Sequence, residues 1–320
     1  MRQGRFREAL SRFEGDQDTR HQSAEAEFHL AMATARVGEY HRATRLAGSA
    51  LRRFVDVSNR GGQLHALNLL GGVSFEQGRL DDAECWFRDA QRLAEAIRDA
   101  GIGARAWNNL ALIAHLRGRP HLAVETWRRA LRLYEELQDT RGAVQTHHNL
   151  GLAYRELGLL HAAHDHVALA MKLVDQVSDP SLKGLVVLGQ AELEFSEGAV
   201  DRAAALLEQA TQIATASDDQ TGLVNAGRLR ALMALRARQY QLAKIEATAA
   251  REKAELLGAR ILAAECGVIA ALAFRALGDD CTAEPLHRRS CHALERLGAD
   301  RLSRWADREW TRATASGRSG

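Results

Sequence analysis

Small and bulky apolar positions recur along the chain at one fixed interval, and the stretch from Trp107 to Ala130 shows the unit most clearly. There W-N-N-L-A is followed by Gly118 and then by Ala123, Trp127 and Ala130. A shift of 40 residues in either direction brings the same skeleton back. The turn position reads Gly38, Gly78, Gly118, Gly158, Gly198, Arg238 and Gly278. Five residues on stand Ala43, Ala83, Ala123, Ala163, Ala203, Ala243 and Ala283; seven further on stand Ala50, Ala90, Ala130, Ala170, Ala210, Ala250 and Ser290. A period of this size kept through seven cycles without insertion predicts a stacked repeat array, in which each unit buries its face against its neighbours. Each unit is expected to hold a helix of about 14 to 17 residues, a short turn at the glycine and a second helix of similar length.

The joints between units keep the period as well. Asp99, Asp139, Asp179 and Asp219 each precede a first helix, where a carboxylate caps free N–H groups and suits the helix dipole. Thr19-Arg20-His21-Gln22 has capping-box spacing and is expected to start the first complete unit. Before it, Gly4, Phe6, Ala9 and Phe13 match a turn and second helix without a first helix, so residues 1–18 read as a half repeat cut from a longer array or an edge that meets another copy. Pro285 falls inside the last second helix, whose start is therefore expected late, near Thr282. Gly71 occupies a small position where helices cross closely, whereas Gly72 has no evident packing role. Gln190, Arg230 and Ala270 replace the usual Leu, so the later repeats are expected to be looser or to carry different surface chemistry. Residues 299–313 read as a capping helix with Leu302, Trp305 and Ala306 on one side, and residues 314–320 as a disordered tail. The array itself, residues 1–298, reads as a single domain.

The ensemble of Trp107, Leu110, Ala111, Gly118, Ala123, Trp127 and Ala130, and of Leu150, Gly151, Tyr154, Gly158, Ala163 and Ala170 one unit later, resembles the tetratricopeptide repeat family. The 40-residue spacing is similar to the longer subclass of kinesin light chains and of sensor regions in bacterial signalling proteins. The resemblance implies an all-α, right-handed superhelical solenoid of antiparallel helix pairs whose first helices line a concave, peptide-binding groove. Carried over by period, the groove residues are Asn68, Arg105, Asn108, Asn109, His115, Gln145, His148, Asn149, Arg155, Glu192, Asn225, Arg228 and Arg236. A carboxamide donates to a C=O and accepts from an N–H, so it reads any peptide unit. Two asparagines contribute about 3 kcal/mol at most, while a micromolar complex needs about 8, so pockets or charges must supply the remainder. The arginines give a weak preference for an acidic or C-terminal carboxylate ligand.

Composition narrows the reading rather than changing it. Hydrophobic residues make up 46%, with 26 glycines but only three prolines, which suits an almost wholly helical chain. A net charge of +2 argues against a general nucleic-acid binder, and no run of apolar residues is long enough to span a membrane. Cys85, Cys266, Cys281 and Cys291 form no CxxC spacing and read as reduced thiols of a cytoplasmic protein. His161, His164 and His166, with His147 and His148, tempt a metal reading, but only His161 and His164 share a helix face. No metal or other cofactor is therefore expected. The GxxxxGKS/T, HExxH and GxSxG motifs are absent, and an enzyme is not expected. The reading is a non-enzymatic scaffold for a protein or peptide partner, without nucleic acid or membrane, and self-association through the N-terminal edge is one role for residues 1–18. The alternative is a regulatory module truncated from a larger bacterial signalling ATPase or transcription regulator.

Overall fold

A computed structural model describes residues 23–316 of the chain. Among these residues there are fifteen helices and no strand. They are α1 (Ala24–Arg36), α2 (Tyr40–Asp56), α3 (Arg60–Glu76), α4 (Leu80–Ile97), α5 (Ala100–Leu116), α6 (Pro120–Glu136), α7 (Thr140–Glu156) and α8 (Leu160–Val174). There follow α9 (Pro180–Ser196), α10 (Val200–Ala216), α11 (Gln220–Arg236), α12 (Tyr240–Leu256), α13 (Arg260–Ala276), α14 (Asp280–Arg296) and α15 (Asp300–Ser316). The fold is an all-α array of antiparallel helix pairs. It divides into two compact units, Met1–Leu110 and Ala111–Gly320.

The turns explain why the period is so regular. Each first helix of a pair ends with its chain turned left-handed, as at Gly38 (φ +86°), Gly118 (+68°) and Gly158 (+72°). The N–H of Glu39 then donates to the Thr34 carbonyl at 3.0 Å and that of Gly38 to Ala35 at 3.1 Å, closing the helix end. Arg238 takes the same conformation, φ +59°, with a Cβ that disfavours it by about 1 kcal/mol. At the other joint the aspartates do what their position predicts. Asp99, Asp139, Asp179 and Asp219 accept from the N–H groups of Ile102, Gly142, Leu182 and Gly222 at 2.9, 2.9, 3.2 and 2.9 Å.

Packing between pairs is a size exchange repeated along the chain. In the first unit, Phe54 of α2 fills the space left by Gly62 of α3, and Ala94 of α4 leaves room for Ile102 of α5. The second unit repeats the exchange with Tyr134 against Gly142. A large side chain on one side requires a small one on the other because interiors are packed to crystal density.

Gly71 and Gly72 separate cleanly on this criterion. A Cβ on Gly71 would meet the Phe87 ring at 2.6 Å, whereas nothing lies within 4 Å of one on Gly72. Gly71→Ala is expected to cost about 1–3 kcal/mol and Gly72→Ala to gain about 0.5–1 kcal/mol. Denaturant melts of the two variants check this; equal effects would contradict it.

Three expectations need comment. The second helix carrying Pro285 does not start late: α14 begins at Asp280, capped by Asp279, whose carboxylate accepts from the Thr282 N–H at 3.1 Å. Burial of Ala283 and Leu286 in the core holds this turn helical despite the missing proline donor. Helix α15 continues to Ser316, past the expected end at Ala313. The half repeat around Gly4, Phe6, Ala9 and Phe13, the Thr19–Gln22 box and residues 317–320 lie outside the described residues. Helix α1 is capped by Ser23, which accepts from the Ala26 N–H at 3.2 Å.

Candidate functional site

Within the second unit, the first helices carry alternating charges at closely matched positions. Arg155 of α7 donates to Glu192 of α9 at 2.9 Å. Glu192 also pairs with Arg228 of α11, which donates to Glu265 of α13 at 2.9 Å. The chain arginine, glutamate, arginine, glutamate thus crosses four helices whose charged residues lie 37, 36 and 37 positions apart. The side chains are largely withdrawn from water, with Arg228 at 11% and Glu192 at 14% exposure. Burial alone would raise the Glu192 carboxyl, but Arg228 and Arg155 outweigh it and hold the group at about 2. Burial would likewise lower the Arg228 guanidinium, but Glu265 and Glu192 keep it above its ordinary value.

Helix α15 faces this row from the other side. Its hydrophobic stripe of Leu302, Trp305 and Ala306 packs on α13 and α14, while its arginines reach far back along the sequence. Arg301 pairs with Glu156 at the end of α7, and Arg304 donates to the Arg117 carbonyl at 3.4 Å. The guanidinium of Arg304 lies where a side chain at Gly118 would stand, so that glycine serves the turn and makes room for the contact. Further along, Glu309 of α15 accepts from Arg236 of α11 at 3.0 Å.

Between α15 and the first helices lies a cavity of about 760 Å³. Six arginines (Arg155, Arg228, Arg236, Arg301, Arg304 and Arg308) and three glutamates (Glu156, Glu192 and Glu265) line it, together with Phe195, Leu229, Leu232 and Trp305. The excess positive charge has a definite source. Arg155, Arg228, Arg236 and Arg301 each hold a carboxylate, whereas Arg304 and Arg308 form no ion pair among the described residues. A smaller cavity of about 190 Å³ adjoins the same charges and is lined by His115, His148 and Gly189.

The residues expected to form a groove are thus placed differently from one another. Arg155, Glu192, Arg228 and Arg236 line the large cavity, and His148 and Asn225 the small one. His148 and Asn108 are buried, at 5% and 7% exposure, and do not stand on an open wall. The His148 ring fills the space beside Gly189, where a Cβ would come within 2.6 Å of its Nδ1. Asn225 donates to the Thr221 carbonyl of its own helix at 3.1 Å. Asn149 is half-buried and Gln145 exposed. In the first unit Asn68 and Asn109 are half-buried and Arg105 is exposed. The sequence reading missed Glu265 and the arginines of α15. Arg301, Arg304 and Arg308 fall at i, i+3 and i+7, the spacing of one helix face, and that signal was available.

The histidines gather by pairs instead of forming one centre. His147 and His166 face each other through their Nδ1 atoms at 2.8 Å, and Tyr154 stacks on His166. His164 meets Glu197 at 2.8 Å, and His161 is fully exposed beside Asp165. Burial, aided by Arg301 and Arg155, pushes His115 down to about 3. His148 falls to about 4, again chiefly through burial, with Glu192 opposing and Arg155 assisting. His115 is therefore neutral near Glu156, whose ion pair is with Arg301.

These shifts fix a direction for acid stability. A histidine held neutral in the fold takes up a proton on unfolding below pH about 6.5. Stability is then lost as pH falls from there toward about 4, by up to about 1.4 kcal/mol per pH unit for each of His115 and His148. Glu156, raised by burial, works in the opposite sense. The melting temperature should fall between pH 7 and pH 5, and a flat profile would contradict the assignment.

Residues 104–176 match the model of a tetratricopeptide repeat. None of the curated proteins compared matches the chain. Solved structures are similar to it in fold. The Rap conjugation gene regulator of plasmid pLS20, in complex with the Phr* peptide, superposes with a TM-score of 0.70 at 15% identity, over 86% of this chain and 74% of that one. The apo form of RapI gives 0.67 at 16%, over 90% and 99%. Aspartyl phosphate phosphatase F from Bacillus subtilis gives 0.60 at 13%, over 98% and 92%. Among the described residues no helix is long and apolar enough to cross a membrane. The matched unit recurs at the same 40-residue spacing in helix pairs of the same build, so the chain carries repeats of the tetratricopeptide type.

Proposed function

We propose that the chain is a regulatory module that binds a short peptide segment of a partner, and that the segment enters the cavity between α15 and the first helices of the second unit. The observation that carries this reading is the pair Arg304 and Arg308, two guanidiniums on the cavity wall without a carboxylate partner among the described residues. A cavity of about 760 Å³ is within the range of ligand sites, and the apolar patch of Phe195, Leu229, Leu232 and Trp305 takes a side chain beside the charge. The ligand is thus an acidic segment or one ending in a free carboxylate. A fold neighbour in complex with a peptide supports the class of ligand.

Arg155, Glu192 and Arg228 act in this reading as a rigid floor, since their charges already satisfy one another. The asparagines of the sequence-based groove, Asn109 and Asn149, are retained as lesser contacts on the first-helix faces. We read the module as non-catalytic and place it in the cytoplasm, where its four free thiols stay reduced. The name of one fold neighbour, a conjugation gene regulator, favours regulation.

Affinity purification from the native cell, comparing wild type with an Arg304→Ala, Arg308→Ala variant of unchanged melting temperature, tests the proposal. Each lost charge-assisted hydrogen bond is worth about 1.5–3 kcal/mol, so capture of the partner should fall at least about tenfold. Undiminished capture by the variant would refute the site.

A further inference from the structure

A second cluster, outside the cavity, lies where α15 docks on α14. His287 and Cys291 stand at i and i+4 on α14, so both project from one face of that helix. Asp307 of α15 closes the group from the other side. The Sγ of Cys291 lies 3.3 Å from Nε2 of His287 and 4.0 Å from Oδ1 of Asp307, and the three ligand atoms all fall within 4.8 Å of one another. Bond lengths of about 2.0–2.3 Å around a tetrahedral zinc imply ligand-to-ligand edges of about 3.5 Å, which these separations bracket. We propose that His287, Cys291 and Asp307 bind one zinc-class divalent ion, with water in the fourth position.

Three further features support a built site. The His287 ring is fixed before any ion arrives, stacked on Trp310 at 4.1 Å, with the Arg275 guanidinium 4.4 Å over the other ring of the sandwich. His287 and Cys291 are buried, whereas Asp307 is exposed, so the cluster has a dry interior and an entry from solvent. The donor set of one imidazole, one thiol and one carboxylate suits zinc and cobalt better than magnesium or calcium, which take oxygen ligands. The thiol is not arranged as a nucleophile. Burial, with Asp307 and Glu295, pushes it up to about 11, so it is protonated until a cation replaces the proton. Binding converts the thiol to a thiolate and releases that proton to water. The bound ion would join α14 to α15, the helix that carries Arg304 and Arg308, and the assignment stands independently of any ligand in the cavity.

Cobalt(II) is the probe, titrated into metal-free protein carrying Cys85→Ser and Cys281→Ser to remove the exposed thiols. The expected result is one equivalent bound, a thiolate-to-cobalt charge-transfer band, about one proton released per ion, and displacement by zinc. Cys291→Ser should abolish the band, Asp307→Asn should weaken binding at least tenfold, and His166→Gln, which alters the separate histidine pair, should leave both unchanged. Far-ultraviolet dichroism of each variant confirms that it is folded. Folded protein without the band, or a band that survives Cys291→Ser, would overturn the assignment and leave His287 and Cys291 as an imidazole and thiol in simple contact.

Discussion

Arg228→Ala is expected to destabilise the second unit by about 3 kcal/mol. Arg228 lies between Glu192 and Glu265 with 11% of its side chain exposed, and its removal leaves the half-buried Glu265 without its arginine. Breaking a buried pair by deleting one partner costs about 3–5 kcal/mol, because the stranded charge keeps its desolvation penalty. The lower end applies here, since Glu192 retains Arg155. Glu265→Gln should cost clearly less, because Arg228 then keeps Glu192. Denaturant melts of both variants measure this, and equal losses would show that the charge row is not coupled.

Trp127→Ala is expected to cost about 3–5 kcal/mol. Trp127 is the largest side chain with no solvent exposure among the described residues, and its ring lies 5.5 Å from that of His115. The corresponding position holds Ala47 and Ala247 in other repeats, so alanine suits the helix there. The loss therefore measures the cavity rather than helix propensity. A loss below about 1 kcal/mol would mean that the neighbouring helices collapse onto the vacated space.

Much of this fold was legible in the sequence because its determinants are local. A left-handed residue at Gly118, a cap at Asp139 and a small residue at Gly151 each act within a few positions, and the period repeats them. Pro285 was misread because a local rule was applied where the packing of Ala283 and Leu286 decides. The site was less legible for a different reason. Arg301 meets Glu156 across 145 positions and Arg304 meets the Arg117 carbonyl across 187, and such distances follow from how successive pairs stack, not from any short pattern. The arginines of the first helices form a group that, on the sequence alone, looks available for a ligand. Their partners Glu192 and Glu265 stand almost one period away, so the pairing is invisible without the fold. Arg304 and Arg308, which line the cavity without an ion pair among the described residues, sit in a segment that reads as a cap.

Photo-crosslinking locates the ligand most directly. A photoreactive residue at Leu232, inside the cavity, is compared with one at Ile245, which is 55% exposed on α12. Both proteins are irradiated in extract of the native cell. The expected result is a covalent peptide or partner adduct from position 232 and none from 245. Adducts from 245 alone, or from neither position while the partner is still captured, would place the binding surface elsewhere.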